Sequence, residues 1–416
     1  MTTSLPQHYF RHESGRLVAA LVRVLGVHNL TLAEDVSQEA LVRALEVWKV
    51  QGVPDNPSGW LYRSAKNLAV DALRKDRTAR TYAPELGRWL ESEWTRLSTL
   101  DEAFEPHVVM EDELRMMFTV CHPRLPEDAQ IALVLQLSCG FSVGEIAAAF
   151  FASPAAIARR ISRAKARLVE TRSLFDLRAD DAPARLGAVH AAIYLLFNEG
   201  YHGSSPESAV REELCQEALR LVSMLAEHVQ TAQPETNALA ALLFLHAARL
   251  PARVTQEVRL LSLFEQDRAA WDRELIARGL SFLDRSAEGL RLTEYHLEAM
   301  IAAHHATAPS REETPWQSIV QLYDILFAMR PSPVVALSRA IAIAECEGPA
   351  RGLEEVLAIG DRERLAAYPF YEATLGELNL RAGQHARAQT HFETAAALAR
   401  NEMERSFFEA RIKACW

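Results

Sequence analysis

Phe141-Ser-Val-Gly-Glu-Ile-Ala-Ala-Ala-Phe150, then Phe151-Ala-Ser-Pro154, then Ala155-Ala-Ile-Ala-Arg-Arg-Ile-Ser-Arg-Ala-Lys-Ala-Arg-Leu168, is the stretch from which the rest of the chain can be read. It carries two helix starts close together. Ser142 with Glu145 three residues later is a capping box, in which each residue satisfies an orphan backbone N–H of the other. Ser153 is an N-cap and Pro154 fits the first helical position, where no N–H is needed. In the second helix Ile157, Ile161, Ala164 and Leu168 fall on one apolar stripe. Arg159, Arg160, Arg163, Lys165 and Arg167 fall elsewhere on it. A short helix, a tight turn and a basic second helix predict a helix-turn-helix, whose second helix enters the major groove. Arginine suits guanine edges and phosphates.

The surrounding texture predicts an all-α chain. Ala, Leu, Arg and Glu dominate, and apolar residues recur at three- and four-residue steps. At 416 residues the chain is too long for one ordinary core. A hydrophobic fraction of 49% and a charged fraction of 24% exclude a wholly disordered chain. No apolar run is long enough for a membrane span, and Met1 to Phe10 carries no signal-peptide pattern, so the expected location is cytoplasmic, away from any membrane. The five cysteines form no CxxC, which argues for reduced thiols.

Charge is uneven. Residues 1–180 hold 22 Lys+Arg against 23 Asp+Glu, whereas the remainder holds 23 against 32. The net charge of −10 therefore belongs almost wholly to the second part, and nucleic-acid binding by the first part stays open. An acidic second part could cover basic faces of the first, which is the one sequence argument for autoinhibition.

Two further stretches matter upstream. In Trp60-Leu-Tyr-Arg-Ser-Ala-Lys-Asn-Leu-Ala-Val-Asp-Ala-Leu-Arg-Lys75, Leu61, Ala65, Leu68 and Ala72 form the expected buried stripe. That leaves Tyr62, Arg63, Lys66, Asn67 and Arg74 for the surface, an aromatic-and-basic mixture suited to a single strand. A plain surface helix accounts for the composition equally well. In Glu34-Asp-Val-Ser-Gln-Glu-Ala-Leu-Val-Arg-Ala-Leu-Glu-Val-Trp48, the expected buried stripe is Leu41, Ala44, Leu45 and Trp48. Asp35, Gln38 and Glu39 share the opposite polar face.

These residues together resemble a family. Asp35-x-x-Gln38-Glu39 with Trp48, then Trp60-Leu-Tyr-Arg with Asn67 and Asp71-Ala-Leu-Arg74, is similar to region 2 of the extracytoplasmic-function sigma factors. Leu125-Pro126, Phe141-Ser-x-x-Glu145-Ile-Ala and Arg160-Ile-Ser-Arg163-Ala-Lys-x-Arg-Leu168 resemble their region 4. The remainder resembles the tetratricopeptide-like extension of one large subgroup, through Tyr194-Leu-Leu-Phe-Asn-Glu-Gly-Tyr201, Asp267-Arg-x-x-Trp271-Asp272 and Pro331-Ser-Pro-Val-Val-Ala336.

The resemblance implies an all-α organisation: region 2 over 1–83, an acidic linker over 84–121, the region 4 helix-turn-helix over 122–178 and a helical-repeat domain over 185–416. It implies two partners, core RNA polymerase (the clamp helices of its largest subunit and its beta flap) and promoter DNA. Asp35, Gln38, Glu39 and Trp48 would bind polymerase. The loop carrying Asp55 and Asn56, with Tyr62, Arg63, Lys66, Asn67 and Arg74, would hold the −10 element. Ala155, Arg159, Arg160, Arg163 and Lys165 would read the −35 element.

In the last part, Leu375-Gly376, Ala388, Phe392 and Ala395 fall on tetratricopeptide offsets, with a turn at Arg381-Ala-Gly-Gln384. Ala340, Gly352, Val356 and Ile359 repeat the pattern upstream, and Phe197, Tyr201, Ala218, Val222 and Leu225 do so more loosely. Such a domain is expected to regulate the protein or dock a protein or ligand through a concave surface. Asn198-Glu-Gly-Tyr-His202 is polar inside an apolar helix, so it ends a helix or lines a groove.

His296, His304 and His305 match no complete zinc-ligand spacing. No phosphate loop or nucleophile elbow occurs. No catalytic residue, metal or cofactor is expected, and the chain is read as a non-enzyme. The alternative reading is a conventional helix-turn-helix regulator with a protein-binding repeat domain; a bare repeat scaffold is a third.

Overall fold

A computed structural model describes residues 7–79, 106–150, 152–170, 182–203, 209–255 and 259–416. Residues 84–105 of the expected linker and the side chain of Arg74 lie outside the described residues. The described residues form helices and turns, with one isolated antiparallel bridge between Val254 and Leu260. The chain divides into two compact units, Met1–Leu196 and Phe197–Trp416.

The first unit holds α1 (Gln7–Leu25), α2 (Leu30–Gln51), α3 (Pro57–Ala79), α4 (Pro106–Val120), α5 (Glu127–Leu137), α6 (Val143–Ala149) and α7 (Pro154–Glu170). Helix α1 is central: it packs on α2, α3, α4 and α5. Its apolar residues Leu17, Val18, Leu21, Val22 and Leu25 are buried. Residues 106–120, expected within the linker, are instead a packed helix. Leu114, Met116, Met117, Phe118 and Val120 of α4 are all buried. Its acids are not a solvated tether either: Asp112 pairs with Arg23 at 3.3 Å and Glu113 with Arg16 at 3.3 Å, both on α1. The apolar spacing of Leu114, Met117, Phe118 and Cys121 outweighs the acidic composition.

Helix α8 (Ala182–Tyr201) contains the division between the units. The second unit continues with α9 (Glu212–Glu227), α10 (Pro234–Ala247), α11 (Arg273–Ser286), α12 (Glu294–Thr307), α13 (Trp316–Met329), α14 (Pro333–Glu347), α15 (Pro349–Leu357), α16 (Pro369–Arg381), α17 (His385–Ala397) and α18 (Glu402–Lys413). From α9 onward the helices pack mostly on their sequence neighbours, with α12 lying chiefly on α10, the contact pattern of a helical solenoid.

The small residues at repeat offsets have the expected job. A Cβ on Gly376 would stand 2.8 Å from the Phe392 ring, and one on Gly352 would stand 2.4 Å from the Ala344 Cβ. Phe392 is fully buried, so its ring has nowhere to retreat. Gly376→Ala is expected to destabilise the second unit by about 1–3 kcal/mol through overpacking, read as a lower denaturant midpoint.

The stack does not remain open. The Ala209 N–H donates to Met403 Sδ at 3.4 Å, and Ala209, Leu260 and Met403 form one buried cluster. Arg411 of α18 reaches Glu265 at 3.9 Å. Segments before α9 and after α10 therefore meet α18, and the expected concave surface is narrowed into a half-open pocket.

Two histidines inside this unit make it acid-labile. Burial holds His246 and His305 at about 3, well below the usual imidazole range. Below pH ~6.5 the unfolded chain takes up a proton that the folded chain refuses, so stability is complete above that pH and is lost as pH falls toward 3. Each should cost on the order of 2 kcal/mol at pH 5. The thermal midpoint should be flat above pH 7 and fall steeply between pH 6 and 5; a flat profile down to pH 4 would contradict this.

Candidate nucleic-acid interface

Helix α2 is followed by Gly52, whose positive φ of +82 with an extended ψ, a conformation open to glycine, starts the following loop. The buried stripe of α2 is Ala33, Val36, Ser37, Ala40, Ala44 and Trp48. This corrects the expected register: Leu45 is 55% exposed and Val42 54%. Asp35, Gln38 and Glu39 are exposed as expected, and Val42 and Leu45 follow them at helical spacing. The face is thus an acidic-polar patch with an apolar centre, the composition of a protein-docking surface.

Trp48 does not belong to that face. It is 6% exposed and sits in an aromatic cluster, with its ring 5.4 Å from Trp60, 5.7 Å from Phe10 and 6.5 Å from Tyr9. Its role is to brace the junction of α2 and α3. The Tyr9 hydroxyl bonds Ser58 Oγ at 2.8 Å, tying α1 to the first turn of α3.

The loop between α2 and α3 presents Asp55 and Asn56, both exposed. Asn56 Oδ1 accepts from the Gly59 N–H at 2.8 Å, so this side chain caps α3 and only its amide NH₂ remains for DNA. On α3, Arg63 and Asn67 are exposed, one helical turn apart, and Lys66 is half-buried beside them. Tyr62 was expected on this surface and is not there. It is 4% exposed, and burial pushes its phenol up to about 12. The ring fills the space toward Arg23 and Asp112, which composition alone could not indicate.

The helix-turn-helix forms as the caps dictate. The Glu145 N–H donates to Ser142 Oγ at 3.2 Å, and the Ser142 N–H donates to Glu145 Oε2 at 2.8 Å. The Ala156 N–H donates to Ser153 Oγ at 3.3 Å at the start of α7. Ile157, Ile161, Ala164 and Leu168 are buried as expected.

The basic residues of α7 divide in two. Arg160 pairs with Asp128 of α5 at 3.1 Å and lies 5.5 Å over the Phe150 ring. Lys165 donates to Glu34 of α2 at 2.6 Å. Both are paired with protein carboxylates, which corrects their expected placement as free readers of DNA. Arg159, Arg163 and Arg167 are exposed at four-residue steps, with Ala155 one turn before them. The three guanidiniums run about 12 Å along one face, and among the described residues none pairs with a carboxylate. Arg167 belongs to this stripe; its i, i+4 spacing from Arg163 was the available signal.

Within this unit α7 and α6 are held to the first helices by single ion pairs. Besides Lys165–Glu34, Arg11 pairs with Glu145 at 3.0 Å. The backbones also meet closely: a Cβ on Gly15 of α1 would stand 2.5 Å from the Ser138 carbonyl oxygen.

An acidic-polar helix face, an exposed polar loop and helix, and an arginine-striped helix-turn-helix stand in the order of a sigma factor, the subunit that RNA polymerase borrows to find promoters. Residues 10–79 match the model of Sigma-70 region 2 and residues 115–168 that of Sigma-70, region 4. Residues 185–287 match a family of unknown function (DUF6596). The chain belongs to the sigma-70 family, and within it to the extracytoplasmic-function type with a helical C-terminal extension. It is similar to an uncharacterized protein of Rhizobium meliloti (strain 1021), with 38% identity over 402 residues, spanning 95% of this chain and 94% of the relative. Among the described residues no helix is long and apolar enough to cross a membrane, and no cluster of metal-ligating side chains occurs.

Proposed function

We propose that this sigma factor docks on core polymerase through the Asp35, Gln38, Glu39, Val42 and Leu45 face, and that its second unit regulates it. Val42 and Leu45 supply the apolar centre, and the acids supply orientation against a basic partner. Asp55, Asn56, Arg63, Lys66 and Asn67 engage the −10 element, and Arg74 follows on the same helix. Arg159, Arg163 and Arg167 engage the −35 element, with Ala155 leaving room for close approach of the duplex. The polymerase performs the chemistry, and this chain none.

The single observation that carries this reading is the division of basic residues on α7. Two are spent on protein carboxylates and three are left in one exposed row. A merely solvated helix has no reason to separate them this way. Run-off transcription with purified core polymerase and a library of promoter fragments tests it. Transcripts that depend on the protein and share two upstream elements are expected. Silence from a folded protein, with specific binding to a fragment as a dimer, would favour a conventional regulator instead.

A further inference from the structure

The second unit holds a half-open pocket of about 590 Å³. That volume lies within the roughly 300–1,000 Å³ of small-molecule sites. Its apolar wall includes Leu337, Ile341 and Phe370. Its polar wall is made by Tyr201, His202, His246, Arg249 and Arg253. Those five come from the end of α8, from α10 and from the 3-10 turn that follows α10 (Leu250–Ala252) and its edges.

Four arginines line the cavity, and two are already neutralised. Arg311 makes a two-pronged pair with Glu345, with both contacts at 2.8 Å. Arg411 is shared between Glu377 and Glu265. Arg249 and Arg253 have no carboxylate partner among the described residues. Arg249 donates through Nε to Gln266 Oε1 at 3.3 Å, a neutral acceptor. Arg253 donates through Nε to the Tyr201 carbonyl at 3.1 Å and through Nη2 to His202 Nδ1 at 2.7 Å. Its guanidinium also lies 4.0 Å over the Tyr201 ring.

Those bonds fix the character of the site. An imidazole that accepts at Nδ1 is neutral and carries its proton on Nε2, so His202 adds a donor rather than an acceptor. The Tyr201 hydroxyl is buried in the wall and finds no protein partner, and neither does His246 Nδ1. Two cations without counter-charge and an imidazole thus line one end of a largely apolar pocket. Isolated cations in such a place are costly unless an anion joins them. The groups point away from a divalent metal, because the arginines repel one. A volume of about 590 Å³ suits a small molecule rather than a length of peptide.

We infer that this cavity is a binding site for a small organic anion, a carboxylate or phosphate group on an apolar body, with Arg249 and Arg253 holding the charged end. The anion end lies against the two guanidiniums, and the apolar body lies against Ile341 and Phe370. Binding is a property of the second unit and stands independently of the promoter-recognition reading. It supplies the regulatory reading with a ligand class: a metabolite sensed in cis.

Calorimetric titration of the full chain, without polymerase, tests the assignment. The probes are octanoate, benzoate and phenyl phosphate, with 1-octanol and benzamide as neutral counterparts and inorganic phosphate as the bare anion. At least one amphiphilic anion should saturate with a dissociation constant below about 1 mM, at least tenfold tighter than its neutral counterpart. The carboxylate and phosphate arms tell the two headgroups apart. Arg249→Gln should weaken the binding at least tenfold. Val334→Trp, at a cavity residue 47% exposed, should block it without touching the core. That second variant keeps the test decisive if the first fails to fold. No saturation by any of the three amphiphiles, equal binding of neutral counterparts, or binding unchanged in Val334→Trp overturns the assignment. Inorganic phosphate binding as tightly as phenyl phosphate also overturns it, because the apolar wall would then have no part.

Discussion

Replacing Arg159, Arg163 and Arg167 together by alanine should abolish promoter-specific transcription while leaving polymerase binding intact. Each arginine that reaches a base edge or phosphate is worth about 1–3 kcal/mol. Three together, taken at the lower end, already amount to a loss of a hundredfold or more in promoter affinity. All three side chains are exposed, and α7 is held by Ile157, Ile161, Ala164 and Leu168, so the fold should survive. The control is Arg160→Ala. It removes the ion pair with Asp128 and the contact with Phe150, so its first effect should fall on the stability of the helix-turn-helix. Footprinting and a thermal melt separate the two. A triple variant that still protects the upstream element would show that α7 is not the reader.

The second large effect is expected on α2. Leu45→Asp places a charge in the apolar centre of the docking face, where a buried unpaired carboxylate in the complex costs several kcal/mol. A loss of core-polymerase affinity of about two orders of magnitude is expected, with the melting curve unchanged because Leu45 is 55% exposed in the free protein. Trp48→Ala should behave in the opposite way. It empties the centre of the Trp60, Phe10 and Tyr9 cluster and should cost about 3–5 kcal/mol of stability. Co-purification and calorimetry on the same pair of variants decide which residue is surface and which is brace. Unaltered polymerase binding by Leu45→Asp would move the docking face off this helix.

The parts of the fold that were legible in the sequence are those set by local chemistry. Ser142, Glu145, Ser153 and Pro154 announce their helix starts within four residues, and the helix-turn-helix follows. The register of α2 was misread because leucine outranks alanine in apolarity. Close packing of α2 between α1 and α3 favours small side chains, so Ala33, Ala40 and Ala44 face inward and Leu45 faces out. The fates of Arg160 and Lys165 depend on Asp128 and Glu34, carboxylates that only the folded chain brings near. Tyr62 turned inward for the same reason. The Asn198–His202 stretch was readable as a helix end or a groove wall, and it is both: α8 stops at Tyr201, and Tyr201 and His202 line the cavity. Its arginines could not be paired with it beforehand, since spacing along the chain says nothing about which segments meet across the stack.

That contact across the stack has a mechanical consequence. In an open stack a small tilt at one joint is carried outward and dissipated as a displaced free end. Here Met403 and Arg411 of α18 hold the segments that carry Ala209 and Glu265, so a tilt along the stack is passed to the half-open pocket between them. The chamber acts as the bore of a split collar: its diameter integrates the angles of every joint around it. Substitutions at joints such as Gly352 or Gly376 should therefore detune the pocket, through the lining residues Leu378 and Phe392 on which an added methyl would press.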